Sequence, residues 1–461
     1  MSDPPASTSD RLRLIAFYLP QFHPIPENDA WWGRGFTEWR NVVRARPLYT
    51  GHYQPQIPGE LGFYDLRVPE VREAQAALAH SHGISGFCYY HYWFNGRRVL
   101  ERPFNEVLSA GTPDFPFCLC WANEPWTRNW DGGKRDILVP QRYSEEDDRA
   151  HIAWLVSAFR DERYIRVQGR PVMMIYNAGA LPDSRRTSEL WRRESIAAGT
   201  GDPYLIKFDT FGDDSDPQSG GFDASSEFLP HGVSETIAAA GFGTRADTKG
   251  LNNVMWEYDE VVTAQLARPL PSWIRYQCVV TGWDNTPRKP GGSAVMFLDA
   301  TPDEYERWLR GAAKKARTAG HEFVFINAWN EWAESAHLEP DLRYGRAFLE
   351  ATARAAGVDP TTDELHGLGG SDVVGEHGSS DNGSAVDYHK LYVQHRVSSA
   401  RESEGMLRHI QELEDALAAV QTVSIPVVEA DGASESDLRR TSVLRRFVRT
   451  ARILRRDWRS L

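Results

Sequence analysis

Eight strand-like runs, helix-like segments between them, and polar and aromatic residues gathered at the trailing ends of the runs predict an α/β fold, a (β/α)8 TIM barrel. The runs are LRLIAFYLP (12–20), GISGFCYYHYWF (83–94), FPFCLCWANEPW (115–126), PVMMIYNAG (171–179), PYLIKFDTFG (203–212), GFDASSEFLPHG (221–232), SWIRYQCVVTGWDN (272–285) and EFVFINAWNEWAE (322–334). Their near-continuous apolar centres suit strands buried on both faces, as in a parallel sheet. A doubly wound open sheet is the main alternative, but no Gly-rich dinucleotide turn follows the first run.

Helical patterns fill several gaps. PEVREAQAALAHSHG (69–83) ends at a glycine suited to capping, and SEEDDRAHIAWLVSAFRDERYI (144–165) opens with serine and an acidic first turn. TPDEYERWLRGAAKKARTAG (301–320) places Thr301 at the cap, Pro302 at the first position and Glu304 three residues on.

The composition agrees with a globular protein: 41% of the 461 residues are hydrophobic and 25% charged. No apolar run approaches the roughly 20 residues of a membrane span. The polar start, MSDPPASTSD, lacks the order of a secretory signal, so a cytoplasmic location is expected. Cys88, Cys118, Cys120 and Cys278 sit in apolar runs and read as buried free thiols. The net charge of −12 is uneven: residues 437–461 carry nine Arg and two Asp, so the remainder is strongly acidic and argues against nucleic-acid binding.

The barrel is expected over 1–357, followed by a Gly/Ser/Asp-rich linker over 358–386. A helix is expected over 387–421. Met406, Ile410, Leu413, Leu417 and Val420 follow a 4-3-4-3 spacing there, as in a short coiled coil that would pair copies of the chain or a simple amphipathic helix. Residues 438–461 form a basic amphipathic pattern, with Leu444, Phe447, Val448, Ala451, Leu454 and Trp458 on one face. Such a helix suits an anionic membrane surface, here the inner face of the membrane, or a partner protein.

The strongest chemical signal is INAWNEWAESAHLEPD (326–341), where Glu331 and Glu334 stand three apart after the last strand. If the chain turns helically there, both carboxylates enter one pocket. Glycosyl transfer needs such a pair: one group protonates the departing oxygen while the other acts as base or nucleophile near the anomeric carbon. Trp329 and Trp332 offer an apolar wall and a face for a sugar ring, and Asn330 lies beside the pair. A solvated Glu-x-x-Glu on a helix is the competing explanation of the spacing alone.

The segments FYLPQFHPIPEND, WWGRGFTEWRNV, GISGFCYYHYWF, WANEPWTRNWDG and WNEWAESAHLEPD, spanning roughly 12–350, resemble glycoside hydrolase family 99 and its WbsX-like relatives. That resemblance implies a barrel, an oligo- or polysaccharide substrate of bacterial surface-polysaccharide metabolism, and a retaining mechanism through a 1,2-anhydro sugar. Glu331 would take the proton of the sugar's own 2-hydroxyl, and Glu334 would serve as acid and then base. The WbsX-like branch also carries the label glycosyltransferase, in O-antigen and capsule biosynthesis. A nucleotide-sugar-dependent transferase and a non-catalytic glycan-binding barrel therefore remain open.

Further candidates for substrate binding are Tyr18 and His23 after the first strand, Tyr90 after the second, and Trp121, Asn123, Glu124, Trp126, Trp130 and Asp131 after the third. Trp283, Asp284 and Asn285 end the seventh. Glu124, in an Asn-Glu dipeptide after a barrel strand, is the rival acid. No metal-ligand spacing is evident; Asp214-x-Asp216 resembles a metal–nucleotide-sugar motif but also reads as a polar loop. The absence of a P-loop or dinucleotide motif predicts no cofactor.

Overall fold

The computed structural model describes residues 12–127, 137–245, 252–289 and 291–359. The linker beyond 359, the expected helices over 387–421 and 438–461, and Trp130 and Asp131 lie outside the described residues.

All eight predicted strands form: β1 Arg13–Tyr18, β2 Gly86–Phe94, β3 Phe117–Trp121, β4 Arg170–Ile175, β5 Tyr204–Asp209, β6 Ala224–Glu227, β7 Arg275–Val280 and β8 Phe323–Asn327. Each pairs in parallel with its neighbours, and β1 pairs with both β2 and β8. The sheet is therefore a closed barrel. Ile15 shows the closure, standing opposite Gly86 on one side and Phe325 on the other. Gly86 has to be glycine, because a Cβ there would lie 2.7 Å from the carbonyl oxygen of Pro116.

Crossover helices cover the barrel: α1 Pro69–Ser81, α2 Arg102–Ala110, α3 Glu145–Phe159, α4 Ser184–Ala197, α5 Val233–Ala239, α6 Tyr258–Ala267, α7 Pro302–Ala319 and α8 Ala347–Ala356. The expected caps are in place. Ser144 accepts from the N–H of Asp147, and Thr301 from that of Glu304. The helix predicted over 144–165 stops at Phe159, because Ile165 donates its N–H to Phe117 beside β3 instead of continuing the turn. Between β5 and β6 only a 3-10 turn, Pro217–Gly220, intervenes. The outer faces of these strands carry the buried Lys207, Asp209 and Glu227, and a cavity of about 580 Å³ opens beside them.

Side-chain direction alternates along a strand, and this alternation sorts the barrel into two layers. Inward, Phe17 meets Tyr90, Phe208, Phe228 and Phe325 at centroid distances of 5.3–6.0 Å. Such aromatic contacts add about 0.5–1.5 kcal/mol each beyond burial, and they close the floor beneath the C-terminal mouth. Outward, Tyr18 reaches Gln75 of α1, Tyr89 packs on Phe104 of α2, and His91 stacks on Trp154 of α3. The four cysteines are buried and unbridged.

Candidate active site

Barrel sites form where the C-terminal strand ends converge. After β8 the chain makes a tight hairpin: Asn330–Glu331 pairs antiparallel with Ala336–His337, and a 3-10 turn, Trp332–Glu334, joins them. Residues three apart eclipse one another in 3-10 geometry, so the spacing of Glu331 and Glu334 puts both carboxylates on one group. That group is Arg288, whose Nη2 lies 2.8 Å from Glu331 Oε2 and whose Nη1 lies 2.7 Å from Glu334 Oε1. Its Nε donates to Glu38 Oε1 at 2.7 Å. Glu38 is fully buried at the start of the short helix Trp39–Arg44, in the long β1–α1 connection.

The buried carboxylates of Glu38 and Glu331 and the half-buried one of Glu334 thus share one guanidinium. Burial raises the pKa of Glu331, and Glu334 and Glu38 add to the rise while Arg288 opposes it. Glu334 is raised by the same burial, again against Arg288. Burial alone would lower Arg288, but the three carboxylates hold it well above its ordinary value. A pair so placed retains a proton above the usual carboxylate range, and its two titration steps belong to the pair.

The hairpin is held from behind by a polar network. Glu339 accepts from Trp332 Nε1 at 2.6 Å, from Tyr64 Oη at 2.9 Å and from Gln75 Nε2 at 2.6 Å. Burial nevertheless pushes the Glu339 carboxyl up to about 7. Trp332 is sandwiched between Trp39 and a His337 ring 3.8 Å away.

A second network fixes the loop that carries Arg288. The Asp284 N–H donates to the Glu334 carbonyl at 2.8 Å. Asp284 Oδ2 accepts from His52 Nε2 at 2.7 Å and Gln54 Nε2 at 2.6 Å, while Oδ1 accepts from the Thr286 N–H at 3.0 Å. His52 Nδ1 accepts from the Leu48 N–H, which leaves the ring proton on Nε2 facing Asp284.

The predicted residues divide by layer. Tyr90, with Tyr92 and Tyr176, faces the cluster: burial raises each hydroxyl well above its ordinary value, and the Glu331 charge adds to all three. Glu124 is half-buried across the mouth, where its charge acts on Tyr176 ahead of that of Glu334. Burial raises the Glu124 carboxyl, which accepts a long hydrogen bond of 3.4 Å from Asn177 Nδ2. Trp126 is half-buried at the rim against Trp31 and Tyr92. Asp284 sits beside the pair, as described.

Other expected sugar contacts face elsewhere. Tyr18 is turned to the helix layer, donating to Gln75 Oε1 at 2.6 Å, and Trp121 packs between His151 of α3 and Trp191 of α4. Trp329 and Trp332 are fully buried, so they wall the hairpin and offer no open face to a sugar ring. Asn123 and Asn330 spend their amides on backbone. Asn285 Oδ1 accepts from the Val295 N–H, and Trp283 is buried. His23 is buried with Nδ1 on the Pro20 carbonyl, and burial lowers it to about 4. Asp216 caps the 3-10 turn after β5 by accepting from the Gln218 N–H, whereas Asp214 is exposed.

Sequence reasoning missed Arg288, Glu38, His52 and Gln54. Glu38 stands within WWGRGFTEWRNV, and Arg288 three residues after Asn285, so both lay inside or next to segments already singled out.

A family model described as Glycosyltransferase WbsX matches residues 14–352. Two curated relatives, each described as Uncharacterized protein WxcX and from strains of Xanthomonas campestris pv. campestris, are 44% identical over 345 residues, 74% of this chain and 49% of theirs. The chain spans about half the length of these curated relatives. Similar solved structures include a Glycoside hydrolase-like protein, at 15% identity and TM-score 0.47 over 77% of this chain and 96% of that one. Another is the GH99 endo-alpha-mannosidase from Bacteroides thetaiotaomicron, at 14% identity and TM-score 0.47 over 77% of this chain and 98% of that one. The barrel rests on its own strand pairing, not on these distant likenesses. The family match runs from β1 through the Glu331–Glu334 hairpin to α8, and the chain belongs to the family described as Glycosyltransferase WbsX.

Proposed function

We propose that the chain is a carbohydrate-active enzyme that cleaves or transfers glycosidic bonds of a bacterial surface polysaccharide, with retention, through a 1,2-anhydro sugar. The observation that carries this reading is the Glu331–Glu334 pair, ion-paired to one arginine, on a short hairpin at the barrel mouth. Glu331 takes the proton of the 2-hydroxyl as that oxygen attacks C1, and Glu334 gives a proton to the departing oxygen. In the second half, Glu334 takes a proton from the incoming water or acceptor hydroxyl, which opens the three-membered ring at C1. Glu331 then returns its proton to the 2-oxygen. Neither carboxylate bonds to C1, so the roughly 5 Å separation of ordinary retaining pairs does not constrain them.

The test is turnover of glycans bearing an axial or equatorial 2-hydroxyl, followed by NMR of the anomeric product. Retention is expected, and replacing the 2-hydroxyl by fluorine should stop the reaction. Efficient, retaining cleavage of the 2-fluoro substrate would rule out the anhydro route.

The family's description favours a second reading, a nucleotide-sugar-dependent transferase. The described mouth opposes it electrostatically: Glu38, Glu331 and Glu334 outnumber Arg288, and a diphosphate would meet net negative charge. Micromolar binding of a nucleoside diphosphate sugar that depends on Asp214 or Asp216 would select the transferase.

A further inference from the structure

The reaction proposed above needs one proton on a pair of carboxylates, neither both ionised nor both neutral. Burial alone does not set that number. It disfavours every charge, and the outcome depends on the fixed charges that face the pair.

Those charges are specific. Arg288 approaches both glutamates through its two terminal nitrogens and Glu38 through Nε. A guanidinium is planar, so three contacts on its three nitrogens lock its position. Glu38 is itself fixed: it is fully buried, its Oε2 accepts from Asn41 Nδ2 at 3.3 Å, and its N–H donates to the Gln21 carbonyl at 3.0 Å. Lys289 adds a weaker positive influence on Glu334. Tyr90, Tyr92 and Tyr176 face the pair as neutral hydroxyls, and Glu124 stands beyond Tyr176.

We propose that Arg288 and Glu38 are positioning residues that act as opposed partners, tethering one another so that the Glu331–Glu334 pair keeps a single proton at neutral pH. With the pair fully ionised, the four groups sum to two negative charges in a buried site. One proton on the pair reduces that to one. Arg288 without Glu38 would pull the pair towards full ionisation and remove the acid. Glu38 without Arg288 would push it towards full protonation and remove the base.

The inference rests on the proposed chemistry, but its test does not need a substrate. The full chain is labelled at the glutamate side-chain carboxyl carbons, the signals of Glu331 and Glu334 are assigned from Glu→Gln variants, and the pair is titrated by NMR. Glu38→Gln removes a negative neighbour, and the upper step of the pair should move down by on the order of 1 pH unit. Arg288→Gln removes the cation, and the same step should move up by a similar amount. Where turnover is measurable, the alkaline limb of the kcat/KM profile should move the same way in each variant. If Arg288→Gln does not fold, Glu38→Gln carries the test alone, since it relieves negative charge in the cluster. Shifts of the same sign, an upward shift in Glu38→Gln, or no shift in either variant overturn the proposal. Opposite shifts without turnover on any glycan leave the electrostatic device standing and overturn only the reading of the reaction.

Discussion

Two segments of this barrel look alike in sequence and behave differently in structure: WANEPW after β3 and WNEWAE after β8. Each contains an Asn-Glu dipeptide, and the two asparagines do the same work. Asn123 Oδ1 accepts from the Asn177 N–H at 2.7 Å and its Nδ2 donates to the Asn177 carbonyl at 2.8 Å, tying the end of β3 to the end of β4. Asn330 does this to Leu19 at 2.7 and 3.0 Å, tying the end of β8 to the end of β1. The glutamates that follow diverge. Glu331 is buried, ion-paired and joined by Glu334, whereas Glu124 is half-buried with one long hydrogen bond. The shared device sets where a glutamate emerges over the mouth. Its chemistry then depends on what the opposite loops bring to meet it, and only the β8 side receives Arg288 and Glu38.

The largest expected effect tests that division directly. Glu331→Gln and Glu334→Gln should each lower kcat by about 100- to 10,000-fold, the range for losing one proton-transfer group, with little change in melting temperature. Glu124→Gln should cost less than about 10-fold and act mainly on KM. A profile in which Glu124→Gln abolishes turnover and Glu334→Gln does not would transfer the acid role to the β3 side.

The asparagines give a smaller effect, read in stability. Asn123→Ala and Asn330→Ala each strip a neighbouring strand end of partners for one N–H and one C=O, half-buried at Asn177 and buried at Leu19, and an unpaired buried group costs about 1–3 kcal/mol. Urea unfolding should show a loss for both variants, the larger for Asn330→Ala because Leu19 is the more deeply buried. Turnover should separate them: Asn330→Ala also loosens the hairpin bearing Glu331 and Glu334, whereas Asn123→Ala touches only the flank. Equal losses of turnover would mean that the two sides contribute alike.

The β3 and β8 segments also show what a sequence reveals. Strand positions were legible because nearly every run keeps an apolar centre; β6, whose sequence is ASSE, is the exception, and all eight formed. The Glu331–Glu334 spacing was legible because a turn over three residues is a local property. Side-chain direction was not. Strands buried on both faces show no alternation of polar and apolar residues, so Tyr18 and Trp121 looked like mouth residues although they face helices. Arg288 and Glu38 were missed for another reason. They are 250 positions apart in the chain, and only barrel closure makes a Pro-rich loop after β7 and a helix start after β1 neighbours. The C-terminal membrane or partner expectation lies outside the described residues and remains a proposal for liposome binding, which should require anionic lipid and residues 438–461.

The smallest expected effect tests the layers themselves through two tyrosines on adjacent strands. Tyr18 ends β1 and Tyr90 lies within β2, yet Tyr18 donates to Gln75 beneath α1, whereas Tyr90 stacks on Phe17 and feels the charges of Glu331 and Glu334. Tyr18→Phe removes one buried hydrogen bond, worth about 0.5–1.5 kcal/mol net, and leaves the Gln75 carbonyl oxygen short of a partner. Gln75 still donates to Glu339, so the hairpin keeps its anchor and turnover should stay within about 3-fold of the parent. Tyr90→Phe should do the reverse, with stability within about 0.5 kcal/mol of the parent and a change in KM or kcat where a sugar hydroxyl loses its contact. Thermal melts and steady-state kinetics on the two single variants decide the matter. A stability loss confined to Tyr90→Phe, with a kinetic defect confined to Tyr18→Phe, would invert the inward and outward faces assigned to these strands.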